Sequence, residues 1–201
     1  NNCIQLSGSA IGFVKNKSEL VLGNRITKGD IILGVESSGL HSNGFTLVRR
    51  ALLKLDLHKN VGNLDGSLGN VLLTPTRIYV RPMIDLFSSG VEVHGIAHIT
   101  GGSFTKLRRI NDTVNYRLNS MPDPPEIFKL IQVKGRIEFA EMYRTFNMGV
   151  GLCVIAPRAS AEAIVSKFEK YSMRTYKVGT IEKPGTGEVS YGVLTKDARP
   201  R

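Results

Sequence analysis

The apolar residues of this 201-residue chain change their spacing several times, from every second position to every third or fourth and back. No all-helical or all-strand fold absorbs such a pattern, because one face of a strand repeats every two residues and one face of a helix every 3.6. The expectation is an α/β (α+β) sandwich, a mixed sheet with helices packed on it. With 41% hydrophobic and 22% charged residues the chain can bury a core, and no apolar run reaches the ~18 residues of a membrane span.

The spacing predicts strands over 9–15, 30–36, 91–99 and 151–156. Phe45, Val48, Ala51, Leu52 and Leu55 recur at helical spacing between 44 and 57, with Ser42 or Asn43 as the N-cap. Further helices are expected over 76–87, kinked at Pro82, after the turn TGGSFTKLRRI with Thr100 as cap, over 125–133, and around Ala161, Ile164, Val165 and Phe168 behind Ser160. TYKVGTIE and EVSYGVLT, flanking 184–187, read as a β-hairpin. Residues 59–69 and 120–125 resemble linkers, and one domain over 1–201 is expected. Two cysteines, Cys3 and Cys153, make neither a disulfide framework nor a four-ligand zinc site, which fits a reducing compartment. No signal peptide is read after Asn1, and the missing initiator methionine suggests a piece of a longer product.

The net charge of +10 is spread along the chain without a block of like sign. Such a surface attracts anions without choosing among nucleotides, phosphorylated metabolites and nucleic acid.

Three segments bear polar chemistry. SSGLHSNG (37–44) joins a strand to a helix, and its Ser37, Ser38, His41, Ser42 and Asn43 suit a phosphate or carboxylate at a helix entry. An ordinary capped turn with an exposed His41 is the competing reading. HGIAHITGG (94–102) repeats the arrangement with His98, Thr100, Gly101 and Gly102, against the alternative of a buried, hydrogen-bonded histidine. Glu92, His94 and His98 share one strand face, but with no third His or Cys nearby no metal site is assigned. EMYRTFNMGVG (141–151) offers Arg144 as a bidentate grip on phosphate and Asn147 as an amide contact, or else a surface Arg and a helix terminus. Walker-type and GxGxxG loops, a serine nucleophile elbow and RNA-stacking aromatics are absent from the sequence.

Taken in order, GDIILGVES, SGLHSNG, LLTPTRIYV, VHGIAHITGG and EMYRTFNMGVG resemble the C-terminal domain of the phosphoribosylformylglycinamidine cyclo-ligase (aminoimidazole ribonucleotide synthetase) family over roughly residues 1–155. Thiamine-monophosphate kinase, selenophosphate synthetase, the hydrogenase maturation dehydratase and formylglycinamidine ribonucleotide amidotransferase belong to the same superfamily. The resemblance implies a cytoplasmic, ATP-dependent ring closure of formylglycinamidine ribonucleotide to aminoimidazole ribonucleotide in purine biosynthesis. It implies ATP and Mg²⁺ bound mainly by an N-terminal half absent from this chain, a homodimer when full length, and no membrane or nucleic-acid partner. Carried over, Ser38, Gly39, Ser42, Asn43, Gly44, Thr100, Gly101, Gly102, Arg144, Thr145 and Asn147 face substrate or phosphate, with His41 and His98 as catalytic residues. Ser103, where the family has a third glycine, and Gln5, where an acidic residue is expected, depart from the pattern. A non-catalytic paralogue that keeps the anion loops and a basic polyanion-binding domain are the alternative functions.

Overall fold

Strand β1 (Ile31–Glu36) runs through the interior of a six-stranded sheet whose order is β2-β4-β1-β5-β3-β6. The other strands are β2 (Gly95–His98), β3 (Asn115–Leu118), β4 (Val150–Ala156), β5 (Thr175–Glu182) and β6 (Val189–Tyr191) in a computed structural model that describes residues 7–14, 17, 20–183 and 185–192. All neighbouring strands are antiparallel except β3 and β6, which are parallel. Alternating side chains feed two apolar layers. Ile32, Cys153, Ile155 and Val178 meet helices α1 (Phe45–Ala51), α4 (Glu126–Gly135) and α5 (Phe139–Thr145) and a 3₁₀ helix (Ser103–Arg109) on one face. Ile31, Leu33, Val35, Leu152 and Val154 meet α3 (Val80–Ser88) and α6 (Ala161–Glu169) on the other. A mixed sheet covered by helices is therefore the architecture, as the periodicity requires.

Several local expectations need correction. Residues 9–14 form no strand: Ile11 and Phe13 alternate as a strand would, yet both face solvent because no neighbour supplies a ladder or a face to bury them. Helix α1 is capped by Gly44 in the left-handed region, not by a Ser42 or Asn43 side chain, and it ends at Ala51. Helix α3 starts only at Val80, so Pro82 lies in the first turn, where its missing N–H removes no helical bond and no kink is needed. The turn after β2 opens a 3₁₀ helix capped by left-handed Gly102 rather than an α-helix capped by Thr100. Ser160 precedes α6 without a side-chain cap. The 59–69 stretch holds an Asn60–Ser67 bridge and leads into a short helix, α2 (Leu68–Leu72).

The largest correction concerns the hairpin. Strands β5 and β6 do not pair, because β3, which the sequence reading missed, lies between them. The connection steps across the start of β3, where a Cβ on Gly185 would lie 2.3 Å from the Asn115 nitrogen. The Asn115 carboxamide oxygen fastens the crossing by accepting the Thr186 and Glu188 N–H groups at 2.9 and 3.0 Å. Four half-polar residues, NYRL, gave β3 too short a pattern to read, although Tyr116 and Leu118 are buried.

Candidate anion-binding site

Strands β1 and β2 both run antiparallel to β4, so their C-terminal ends and the N-terminal end of β4 share one edge of the sheet. The three polar segments emerge there. A register break opposite Val35 and Glu36 marks a bulge in β4 at Gly151. The bulge matters sterically: a Cβ on Gly151 would lie 2.1 Å from the Tyr79 hydroxyl and 2.7 Å from His41 Cε1. Glycine here makes room for a cluster in which the rings of His41, Tyr79 and His98 stand 5.9 to 6.4 Å apart.

His41 is buried, against the competing reading of an exposed turn residue. Its Nε2 accepts N–H bonds from Ser38 at 3.2 Å and Arg77 at 3.4 Å, which leaves the proton of the neutral ring on Nδ1. That Nδ1 is buried without a partner. Burial first, then the neighbouring His98 and Arg77, holds the His41 pKa down at about 4, so the ring is neutral at physiological pH. His98 faces solvent, and partial burial with the nearby Lys106 charge lowers its pKa as well. Tyr79 donates to the Glu36 carbonyl at 2.8 Å, and burial raises its pKa, so it remains a phenol.

Contacts between segments fix the geometry. Gly101 approaches Asn43, with a Cβ there 3.3 Å from the Asn43 Oδ1, which joins the first loop to the second. Gly44 packs on the Phe146 ring, and buried Ser103 donates to the Phe146 carbonyl at 2.6 Å, which joins both to the third. The Ser103 hydroxyl thus turns inward as a tie instead of filling the tight loop. Its φ of 48° explains why glycine suits this position. His41 and Met148 have similar φ values, 57° and 48°, so each of the three loops holds one non-glycine residue in the left-handed region. Each costs about 1–2 kcal/mol, and such strain collects at functional sites when the surroundings enforce it.

The sequence reading missed part of this assembly. Residues 74–77 lie against the first loop: Ser38 donates to the Pro75 carbonyl at 2.6 Å, the Ser42 and Thr76 hydroxyls are 3.4 Å apart, and Arg77 caps the His41 ring. Arg77 also pairs with Glu36 at 3.3 Å and keeps a buried, unpartnered Nε. TPTRIYV carried the resemblance, but no periodicity says that a loop lies over another loop. Lys106 was missed too; its stem crosses Gly102, and its ammonium donates to the Thr100 hydroxyl.

Three expected residues are engaged elsewhere. Asn147 is a buried knot that donates to the Gly39 carbonyl at 2.8 Å and accepts from the Gly149 N–H at 2.9 Å and the Ser37 hydroxyl at 3.0 Å. Its amide builds the site and is spent doing so. Arg144 is exposed and pairs with Glu141, which also accepts from Thr145 at 2.7 Å. Helix entries contribute less than expected, since α1 and the 3₁₀ helix each have only seven residues. The donors are therefore side chains and turn amides.

His94 lies at the other end of β2, where Nδ1 meets Asp30 at 2.7 Å and Nε2 meets Glu92 at 2.9 Å. It shares no ligand with His98. Among the described residues no three His, Cys, Asp or Glu side chains gather as a metal set, and the donors around His41 suit an anion. No helix among the described residues is long and apolar enough to cross a membrane. Gln5 and Cys3 lie outside the described residues.

The family model for the AIR synthase related protein, C-terminal domain, matches residues 27–192. The chain belongs to that family. It is 43% identical over 181 residues to a phosphoribosylformylglycinamidine cyclo-ligase of Methanococcus vannielii, covering 89% of this chain and 51% of the relative. The chain thus spans about half the length of the curated relatives it matches. The fold is shared with thiamine-monophosphate kinase of Stenotrophomonas maltophilia, with a TM-score of 0.54, 17% identity, and coverage of 87% of this chain and 54% of that one. It is also shared with the hydrogenase maturation protein HypE solved in complex with ATP, with a TM-score of 0.50, 17% identity, and coverage of 84% and 49%.

Proposed function

We propose that this chain is the C-terminal half of a phosphoribosylformylglycinamidine cyclo-ligase, acting on formylglycinamidine ribonucleotide and ATP in the cytoplasm. Its partner is an N-terminal half, in cis or in trans, that carries most of the ATP and Mg²⁺ contacts and the homodimer interface. The observation that carries the reading is the convergence of 37–44, 74–77 and 98–106 on one edge of the sheet, around two histidines with lowered pKa values and an unpartnered ring nitrogen.

The proposed reaction asks for this kind of environment. The γ-phosphoryl of ATP passes to the formyl oxygen, converting a poor leaving group into phosphate. The amidine nitrogen then forms the new C–N bond, the C–O bond breaks, orthophosphate departs, and one proton leaves the attacking nitrogen. No protein nucleophile enters; alignment and charge stabilisation carry the catalysis. Ser42, Asn43, Thr100 and the turn amides at Gly39, Gly44, Gly101 and Gly102 supply donors for phosphoryl oxygens, and Ser38 joins them only by releasing the Pro75 carbonyl. Neutral, solvent-facing His98 can take the proton, while His41, with Nε2 tied to two backbone N–H groups, orients the loop instead of exchanging protons. Arg144 and Thr145 serve the cleft only after leaving Glu141.

The test is formation of aminoimidazole ribonucleotide with release of ADP. Expected is none from this chain alone and turnover when it is joined to its N-terminal half. A joined protein that binds substrate and ATP yet forms no imidazole would sink the reading in favour of a non-catalytic paralogue. Salt-sensitive binding to any polyanion, without preference for the ribonucleotide, would favour the basic-surface alternative.

A further inference from the structure

Lys106 is placed differently from the ion-paired cations of this chain. Lys129 is held by two carboxylates, Asp123 and Glu126, at 2.8 Å each, and Arg77, Arg117 and Arg144 each pair with a glutamate. Lys106 is half-buried and folded back over the Gly102 turn, and among the described residues its contact is a hydroxyl, that of Thr100, with no carboxylate in reach. An ammonium carries three donors, and one is used. Holding a lysine chain in one conformation while leaving its charge uncompensated costs entropy and solvation that a surface rotamer avoids. The charge also bears on His98, whose ring is 6.1 Å from the buried His41 ring with its unpartnered Nδ1.

We propose that Lys106 is a substrate-binding residue, which with Thr100 and His98 takes one phosphoryl group. The proposal rests on the cyclo-ligase reading only for the identity of the molecule that carries the group; the phosphoryl chemistry follows from the donors. Lys106 supplies a point charge and two free N–H donors, Thr100 a hydroxyl already oriented by that ammonium, and His98 a neutral imidazole beside them. The groups facing His98 are Lys106, His41 and Tyr79, and of these only Lys106 is charged at neutral pH. Lys106 therefore has a second effect, adding to burial in lowering the His98 pKa where a proton acceptor is needed.

The experiment uses this chain, with ribose 5-phosphate and ADP as separate calorimetric probes and the His98 imidazole followed by NMR across pH. Lys106→Met should weaken phosphoryl binding by about ten- to a hundredfold, the span of a lost charge-assisted hydrogen bond. It should also move the His98 midpoint up toward an ordinary histidine, while Lys106→Arg keeps part of both effects. The His94 midpoint, at the far end of β2, serves as the folding control and should stay put. Loss confined to ribose 5-phosphate assigns the group to the substrate's phosphate, and loss confined to ADP assigns it to the nucleotide. Binding of both probes unchanged in Lys106→Met, or no binding of either by the unaltered chain, overturns the proposal, as does an unmoved His98 midpoint. These readouts need no turnover. A joined enzyme that makes no imidazole, while Lys106 still governs phosphoryl binding, refutes the cyclo-ligase reading alone.

Discussion

His94 and His41 occupy opposite ends of the same sheet, both buried, and their surroundings are opposite in kind. His94 has both ring nitrogens engaged, one by Asp30 and one by Glu92, and the pair is extended by the Thr27 N–H on Asp30 and by Arg25 beside Glu92. Burial alone would discharge this ring, yet the hydrogen bonds and charges of the two carboxylates outweigh it and raise its pKa. His41 has no carboxylate partner and one nitrogen without any partner; burial first, then the neighbouring His98 and Arg77, lowers its pKa. A histidine whose valences are all met within the chain is a structural joint. One kept neutral and short of a partner, beside strained loops, belongs to a site for something that comes from outside.

The largest expected effect comes from breaking the joint. Asp30→Ala should cost about 3–5 kcal/mol in urea unfolding, because it strips the buried His94 Nδ1 of its carboxylate partner and the Thr27 N–H of its acceptor, and should leave phosphoryl binding by the folded fraction unchanged. Lost binding at undiminished stability would reverse the roles assigned to the two ends. Next comes Gly151→Ala. The added methyl must displace Tyr79 or His41, for about 1–3 kcal/mol of strain, and should abolish the ring cluster together with ligand binding. Crystallography of the variant with both rings unmoved would show that the bulge is not what makes room for them.

Opposite titration behaviour sharpens the contrast. The raised pKa of His94 contributes stability that is complete below the ordinary histidine value of 6.5 and is lost as pH rises through the folded value. The lowered pKa of His41 contributes stability present above 6.5 that is lost as pH falls toward about 4. Unfolding midpoints measured across pH should therefore lose their acid slope in His41→Gln and their slope above 6.5 in His94→Gln. The same slope altered in both variants would end the distinction. The smallest effect is at Ser103. Ser103→Ala should cost about 1 kcal/mol for the lost bond to the Phe146 carbonyl, while Ser103→Gly recovers a similar amount by relieving the positive φ and comes out near neutral.

Strands β1 and β4 and helices α4 and α6 were legible because each buries a long face whose period shows in the sequence. The polar loops were legible as chemistry but not as geometry. Asn147 reads as a ligand contact because its amide is versatile, and only the fold reveals that Gly39, Gly149 and Ser37 already use it. Lys106 was hidden for the converse reason, since one more lysine in a basic chain carries no mark until its stem is seen to fold back on Thr100. The hairpin failed because adjacency in sequence stood in for adjacency in the sheet, and a four-residue strand from elsewhere had taken the place between its arms.

That sheet order bears on how the chain is born. Ile31, in the first described strand of this sheet, finds its partners only at Ala156 and Thr180. The strand must therefore wait, without either neighbour, while the residues up to β4 and β5 are synthesised behind it. Assembly is governed by distant pairings of the kind that slow folding, and the apolar IILGV run is exposed to aggregation throughout that interval. A chaperone that shelters nascent chains should raise the soluble yield of this protein more than that of one whose first strands pair with each other.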